Sequence, residues 1–200
     1  TGSASRERVH MLRDTHDAIM VGKNTLVHDN PRLTCRLPDG AGRDPWRVVV
    51  DARLEAPLES AVYDLEGATS PTLVLTGEGA DARRKDALEE RGVEVIVIDR
   101  DDRGWLDMEA GLRELGERGL TSVLVEGGGS LLGSLLDGRH IDRVYAFIAP
   151  KLIGGKGAIS PVLGRGITSM SDILELEGGH IEQLGDDFLF WGNLRPTREP

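Results

Sequence analysis

The chain of 200 residues is long enough to bury a sizeable core in one domain. Its composition, 39% hydrophobic and 29% charged, contains no apolar run near the roughly 18 residues of a membrane helix. With 24 Lys plus Arg against 34 Asp plus Glu, the formal net charge of −10 excludes a general nucleic-acid surface, so an anion must be met by a local cluster of cations and backbone N–H groups. A single cysteine, Cys35, excludes an intramolecular disulfide framework and a multi-cysteine zinc site. The N-terminal TGSASRERVH lacks the apolar core of a signal peptide, so a reducing cytoplasm is expected.

Residues 5–15 place Val9 and Leu12 among charges at helical spacing, with Ser3 or Ser5 as the candidate N-cap. Residues 17–22, DAIMVG, read as a short buried strand. The polar stretch 22–36 follows as a loop, its helix-compatible part ending before Asn30-Pro31. Residues 46–51, WRVVVD, are a β-branched run expected to form a central strand. Strands at 71–76 and 93–98 flank a charged helix at 80–91, and the pattern repeats with a helix at 107–118, a strand at 122–126 and a helix from Ser130 to Leu136. Residues 143–149, 173–184 and 187–194 lack intervening helices and should add antiparallel strands. The expected architecture is a three-layer α/β/α domain on a mostly parallel mixed sheet.

The turn Glu126-Gly127-Gly128-Gly129-Ser130 lies between a strand and a helix. Glycines there let the backbone approach a ligand, and a helix start offers free N–H groups to phosphate; equally, three glycines can simply make a tight turn. The turn is neither a G-x-G-x-x-G fingerprint nor a Walker loop. A carboxylate closing an apolar strand, where α/β ligands usually sit, favours a ligand contact for Glu126.

The segment VLVEGGGSLLGSLL at residues 123–136 resembles the cofactor-binding signature of the reductase domain of bifunctional riboflavin-biosynthesis deaminase/reductases, whose fold is dihydrofolate-reductase-like. In the same order, VHMLRDTHDAIMVGKNTLVHDNPRLTCR at 9–36, WRVVVDAR at 46–53 and IAPKLIGGKGA at 148–158 resemble the family's substrate loop, next core strand and late turn. The resemblance covers nearly the whole chain. It implies reduction, by hydride from NADPH, of the ribosyl group of a pyrimidine glycosylamine 5-phosphate, and a homodimer.

The resemblance assigns Arg13, Leu33, Arg36 and Glu126 to the substrate, the arginines by guanidinium forks that suit phosphate. Arg32 is a neighbouring charge. Thr25 and Asp29 match cofactor contacts. Asp29 and Glu126 are the candidate catalytic residues, Asp29 to orient or protonate the reacting centre or else only to cap the local turn. Gly128, Gly129, Ser130, Leu131, Leu132, Gly133 and Ser134 are expected along the pyrophosphate. A serine commonly follows the strand aspartate in the family, whereas Ala52 follows Asp51 here, leaving Arg53 to supply charge to a 2′-phosphate.

The five histidines are dispersed without metal-ligand spacing, and His28 is the one expected near the site. Lys151 and Lys156 are either anion contacts or solvated turn residues. Trp46, Trp105 and Trp191 are expected in core or interface, and no neighbouring feature argues for Cys35 as a nucleophile. The deaminase signature H-x-E with P-C-x-x-C is missing, so a deaminase domain is expected upstream or on another chain. Family reductase domains ordinarily begin with a strand carrying a lysine, and this chain starts at the following helix. Two alternatives stay open: a reductase of the un-deaminated diaminopyrimidine, and a non-catalytic nucleotide-binding remnant.

Overall fold

A computed structural model describes residues 1–155, 157, 158, 160–167, 169, 170 and 173–195. Helix α1 (Ser3–Thr15) leads into strand β1 (Ala18–Gly22), helix α2 (Lys23–Asp29) and strand β2 (Trp46–Val50). Strand β3 (Thr72–Gly77), helix α3 (Ala82–Glu89), strand β4 (Glu94–Ile98), helix α4 (Met108–Glu117), strand β5 (Val123–Val125) and helix α5 (Gly129–Asp137) continue the alternation. Strands β6 (Arg143–Ile148), β7 (Leu176–Leu184) and β8 (Asp187–Leu194) complete the fold.

The first five strands form one parallel sheet in the order β4-β3-β2-β1-β5. The central strands are apolar without alternation because both faces are covered. Within β1, Ile19 and Val21 face a core shared with Leu26 of α2 and Leu88 of α3. Ala18 and Met20 face a second core containing Met108 and Leu115 of α4 and Leu131 and Leu135 of α5. These are the three expected layers.

The antiparallel strands form a separate sheet, β6-β8-β7, rather than an extension of the parallel one. Among the described residues β5 pairs only with β1, and β6 only with β8. The second sheet is tied to the rest through α1. The Gly2 N–H and Ser5 hydroxyl both donate to Asp187 Oδ2 at 2.6 Å, and Arg8 Nη2 meets Glu182 Oε1 at 2.6 Å. This also corrects the expected N-cap: Gly2 holds that position without a side-chain bond, because Ser5 is buried one turn in and turned to the β8 carboxylate. The 22–36 stretch likewise begins as a helix, α2, ended by Asn30 in the left-handed conformation (φ 42°). Trp105 is exposed rather than core, whereas Trp191 stacks on His180 with ring centroids 4.1 Å apart.

Asp17 fastens the start of β1 to the start of β5. Its Oδ2 accepts from the Thr121 N–H (2.9 Å) and hydroxyl (2.8 Å) and from the Ser122 N–H and hydroxyl (both 3.1 Å). The Thr121 hydroxyl first, then the Thr121 amide, Ser122 and Arg43, hold its carboxyl down at about 2. A carboxyl whose pKa falls on folding adds stability that is present above its unfolded pKa and lost as pH falls through the folded one. The native chain should therefore lose stability between pH 4 and 2, and Asp17→Asn should lose about 1–2 kcal/mol at neutral pH, after solvent screening, and show a shallower acid limb in urea unfolding.

Candidate active site

Strand β5 ends at Val125, and Glu126 continues it by donating its N–H to Met20 O of β1 (3.0 Å). The chain then turns through Gly127 (φ 121°) and Gly128 (φ 87°), conformations that side chains with a Cβ rarely adopt. The turn is also tight at Gly128, where a Cβ would lie 3.3 Å from Gly22 N, and at Gly127 it touches α2, a Cβ there lying in ordinary contact 3.5 Å from Thr25 Oγ1. The end of β1, the start of α2 and the start of α5 thus meet at backbone distance.

Gly128 caps α5 with no side-chain bond, so the Gly129, Ser130 and Leu131 amides precede the first helical bond, Leu132 N–H to Gly128 O at 2.9 Å. Beyond it the amides serve the helix itself. Residues 160–164 cover one side of this run: Leu163 N–H donates to Gly129 O (2.9 Å), and a Cβ on Gly133 would fall 1.9 Å from Leu163 O. Gly133 and Ser134 are buried and Ser130 is exposed, which narrows the seven-residue cradle expected from sequence to its first turn.

Glu126 is paired with Arg13 of α1. Arg13 Nε donates to Oε1 at 2.7 Å and Nη2 to Oε2 at 2.5 Å, a two-pronged contact with side chains 12% and 18% exposed. Nη1 donates to Thr34 O at 2.8 Å, so each of the three guanidinium nitrogens is engaged. Arg36, on the adjoining loop, is exposed and has no carboxylate partner among the described residues. Arg32 is turned toward Asp64 (3.6 Å). Leu33 is buried in the core with φ 55°, so its contribution is packing of the loop. Cys35 donates its S–H to His10 O (3.3 Å), and burial, then Asp14 and Asp44, push its thiol pKa up, against use as a nucleophile.

Thr25 and Asp29 share one face of α2, being four residues apart. Thr25 reaches the glycine turn, whereas Asp29 is exposed at the helix end and its carboxylate accepts no hydrogen bond among the described residues. The local turn is capped by Asn30, not Asp29. At the end of β2, buried Asp51 organises the next turn, accepting from the Arg53 N–H (3.3 Å) and Ala56 N–H (2.7 Å). The Ala52 carbonyl accepts from Gly77 N–H (3.3 Å) and Arg100 Nη2 (3.2 Å), while the Arg53 side chain is exposed.

The structure therefore brings together Arg13, Glu126, Thr25 and the Gly128–Ser130 turn, with Arg36 and Leu33 on the loop beside them. Asp29 and the Ala52–Arg53 corner lie at its margins. Two residues were missed: Arg100, which nothing in the sequence places against Ala52, and His10, whose i, i+3 spacing from Arg13 was a readable signal. His28, the expected neighbour, is exposed, with Nδ1 2.7 Å from Asn24 O on its own helix. Lys151 is exposed, and Lys156 lies outside the described residues.

Among the described residues no group of three or more His, Cys, Asp or Glu is arranged to hold a metal, and no helix is long and apolar enough to cross a membrane. The family model described as RibD C-terminal domain matches residues 1–190. The chain is 40% identical over 187 residues to riboflavin biosynthesis protein RibD of Bacillus amyloliquefaciens, covering 94% of this chain and 49% of that protein. It thus spans about half the length of that relative. It is 37% identical over 190 residues to the 2,5-diamino-6-ribosylamino-4(3H)-pyrimidinone 5′-phosphate reductase of Methanothermobacter thermautotrophicus, covering 94% of this chain and 85% of that one. The solved structure of Acinetobacter baumannii RibD superposes with a TM-score of 0.80 over 98% of this chain and 51% of that chain; at 23% identity it speaks to the fold, which is dihydrofolate-reductase-like. With its α/β frame, its Glu126 glycine turn and a match along nearly its whole length, the chain belongs to the RibD C-terminal domain family.

Proposed function

We propose that this chain is the NADPH-dependent reductase of riboflavin biosynthesis, converting the ribosyl group of 5-amino-6-(5-phosphoribosylamino)uracil to ribityl. The observation that carries the reading is the Arg13–Glu126 pair set against the open first turn of α5. The amides of Gly129, Ser130 and Leu131, which have no hydrogen-bond acceptor among the described residues, lie at a helix start reached through a glycine turn and fit a pyrophosphate. Thr25 and Asp29 lie on the α2 face that borders it, and Arg53 with Arg100 offers positive charge beside Ala52 for a 2′-phosphate. Bound there, NADPH would supply the hydride.

Reduction needs the ribose opened to an imine-like C1′, held in place and given a proton. Glu126, fixed by Arg13, accepts hydrogen bonds from ribose or pyrimidine. Arg13 is better read as the group that orients Glu126 than as a phosphate fork, because all three of its guanidinium nitrogens already donate within the protein and two of them are committed to the carboxylate. Arg36 takes the phosphate, Leu33 packs the loop that carries it, and Asp29 remains the candidate to orient or protonate the reacting centre. A second reading, reduction of the un-deaminated diaminopyrimidine, is favoured by the name of the 37% identical archaeal relative. Assaying both pyrimidines decides between them. A non-catalytic nucleotide-binding remnant would bind NADPH in a fluorescence titration and never oxidise it with either substrate.

Ser130→Asp tests the cradle cleanly. An acidic residue in an exposed first turn favours the helix yet repels phosphate, so NADPH affinity should fall about tenfold or more with the melting temperature held. Arg36→Ala should chiefly raise the KM for substrate. Equal effects of the two changes on cofactor affinity would count against these assignments. Gly129→Asp should also weaken NADPH, with a steric contribution, since a Cβ there would sit 3.0 Å from Leu163 Cγ.

We also read the chain as one reductase domain acting in the cytoplasm as a homodimer, with deamination supplied by a fused or separate domain. The outer face of the antiparallel sheet supports self-association. Ile148, Ile181 and Phe188 are exposed, with Ile148 opposite Phe188 and Ile181 opposite Phe190. Ile181→Glu should shift the sedimentation coefficient toward monomer.

A further inference from the structure

The loop that carries Arg36 has no helix or strand of its own between Asn30 and Trp46, yet three successive residues are fastened to one face of α1. Thr34 O accepts from Arg13 Nη1 at 2.8 Å, and the Cys35 thiol donates to His10 O at 3.3 Å. The Arg36 backbone N–H donates to His10 Nδ1 at 3.1 Å. The last bond settles the imidazole's state, since an amide N–H can only donate. Nδ1 must therefore be bare, with the ring proton on Nε2.

We propose that His10 is a positioning residue for the reductase site: its bare Nδ1 fixes the Arg36 amide and so sets the place of the loop's exposed guanidinium beside the Arg13–Glu126 pair. This rests on the reading of Arg36 as a phosphate ligand given above. The charged groups acting on the ring are Arg13 on its own helix, Arg36 on the loop and Glu126 at the end of β5. Burial first, then Arg13 and Arg36, lower its pKa, while Glu126 and the Thr34 backbone oppose them. The fold thus favours the neutral ring that the bond requires. Protonation turns Nδ1 into a donor facing a donor and releases Arg36 from this anchor.

Two variants separate the bond from the bulk of the ring. His10→Asn places an amide oxygen near the position of Nδ1 without a titrating group, whereas His10→Phe keeps a ring and removes the acceptor. In the native chain the Arg36 amide resonance should titrate with the His10 ring, at a midpoint below the ordinary imidazole value, and in His10→Asn it should not follow that titration. With ribose 5-phosphate as the probe at pH 7.5, His10→Phe should bind about tenfold more weakly than the native chain and His10→Asn within about threefold of it. An Arg36 amide indifferent to the His10 titration, or a His10→Phe chain that binds the probe as the native does, overturns the proposal. If the native chain itself fails to bind ribose 5-phosphate, the phosphate reading of Arg36 fails, and the amide titration still decides the role of His10.

Discussion

Glu126→Gln should cost about 2–3 kcal/mol of stability and lower kcat/KM for the pyrimidine substrate about a hundredfold or more. The carboxylate takes two donors from Arg13, and both side chains are largely shielded from water. In the glutamine variant one oxygen still accepts, but the amide NH2 faces a guanidinium N–H. A mostly buried cation is then left without its counter-charge and with one of its three bonds gone, costlier than losing the pair entirely. The double change Arg13→Ala/Glu126→Ala should accordingly lose less stability than the sum of the single alanine changes, with a coupling of about 2 kcal/mol in urea unfolding, while turnover stays lost. Additive single effects on stability would show that the pair contributes little to the fold.

Gly128→Ala should be nearly as damaging, from a single methyl group. The backbone there holds φ 87° and ψ 91°, outside the left-handed helical well that some side chains tolerate. A Cβ would also stand 3.3 Å from Gly22 N and 3.4 Å from Gly22 Cα, both backbone atoms that cannot swing aside. Together these cost about 2–3 kcal/mol, or a fall of roughly 5–10 °C in Tm for a chain of this size. Relief of the strain would move the start of α5 away from β1, so NADPH affinity should fall with stability. Gly116→Ala is the control. It lies on α4 with nothing within 4 Å of its Cβ position, and it should hold or raise Tm through helix propensity.

The strands were legible because a parallel sheet covered on both faces demands continuous β-branched runs, and WRVVV and EVIVI meet that demand within a residue or two of their ends. The separation into two sheets was not, because it depends on which edges pair, and β5 and β6 carry no local mark of remaining unpaired with each other. At the site, residue types were readable and partnerships were not. Arg13 and Glu126 each stood out as a ligand contact, but they lie 113 positions apart and bind one another. The resemblance picks Arg36 over its neighbour Arg32, but the charge pattern alone does not show that Arg32 turns to Asp64 while the Arg36 backbone is tied to His10. Ser3 and Ser5 suggested a cap because capping is local, and Asp187 overrode that preference from the far end of the chain.

The pairing of β1 with β5 has a consequence for how the molecule is made. Asp17 and Ser122, which lock that edge, are 105 positions apart, and β2, β3 and β4 all lie between them in the chain. Closing so long a loop carries an entropic cost that local contacts do not offset, and such contacts tend to form late in folding. Glu126 reaches Arg13 only after that closure. A refolding chain should therefore regain the β2-β3-β4 portion of its sheet before it regains a ligand-binding surface, so recovery of NADPH binding should lag recovery of the far-ultraviolet circular dichroism signal.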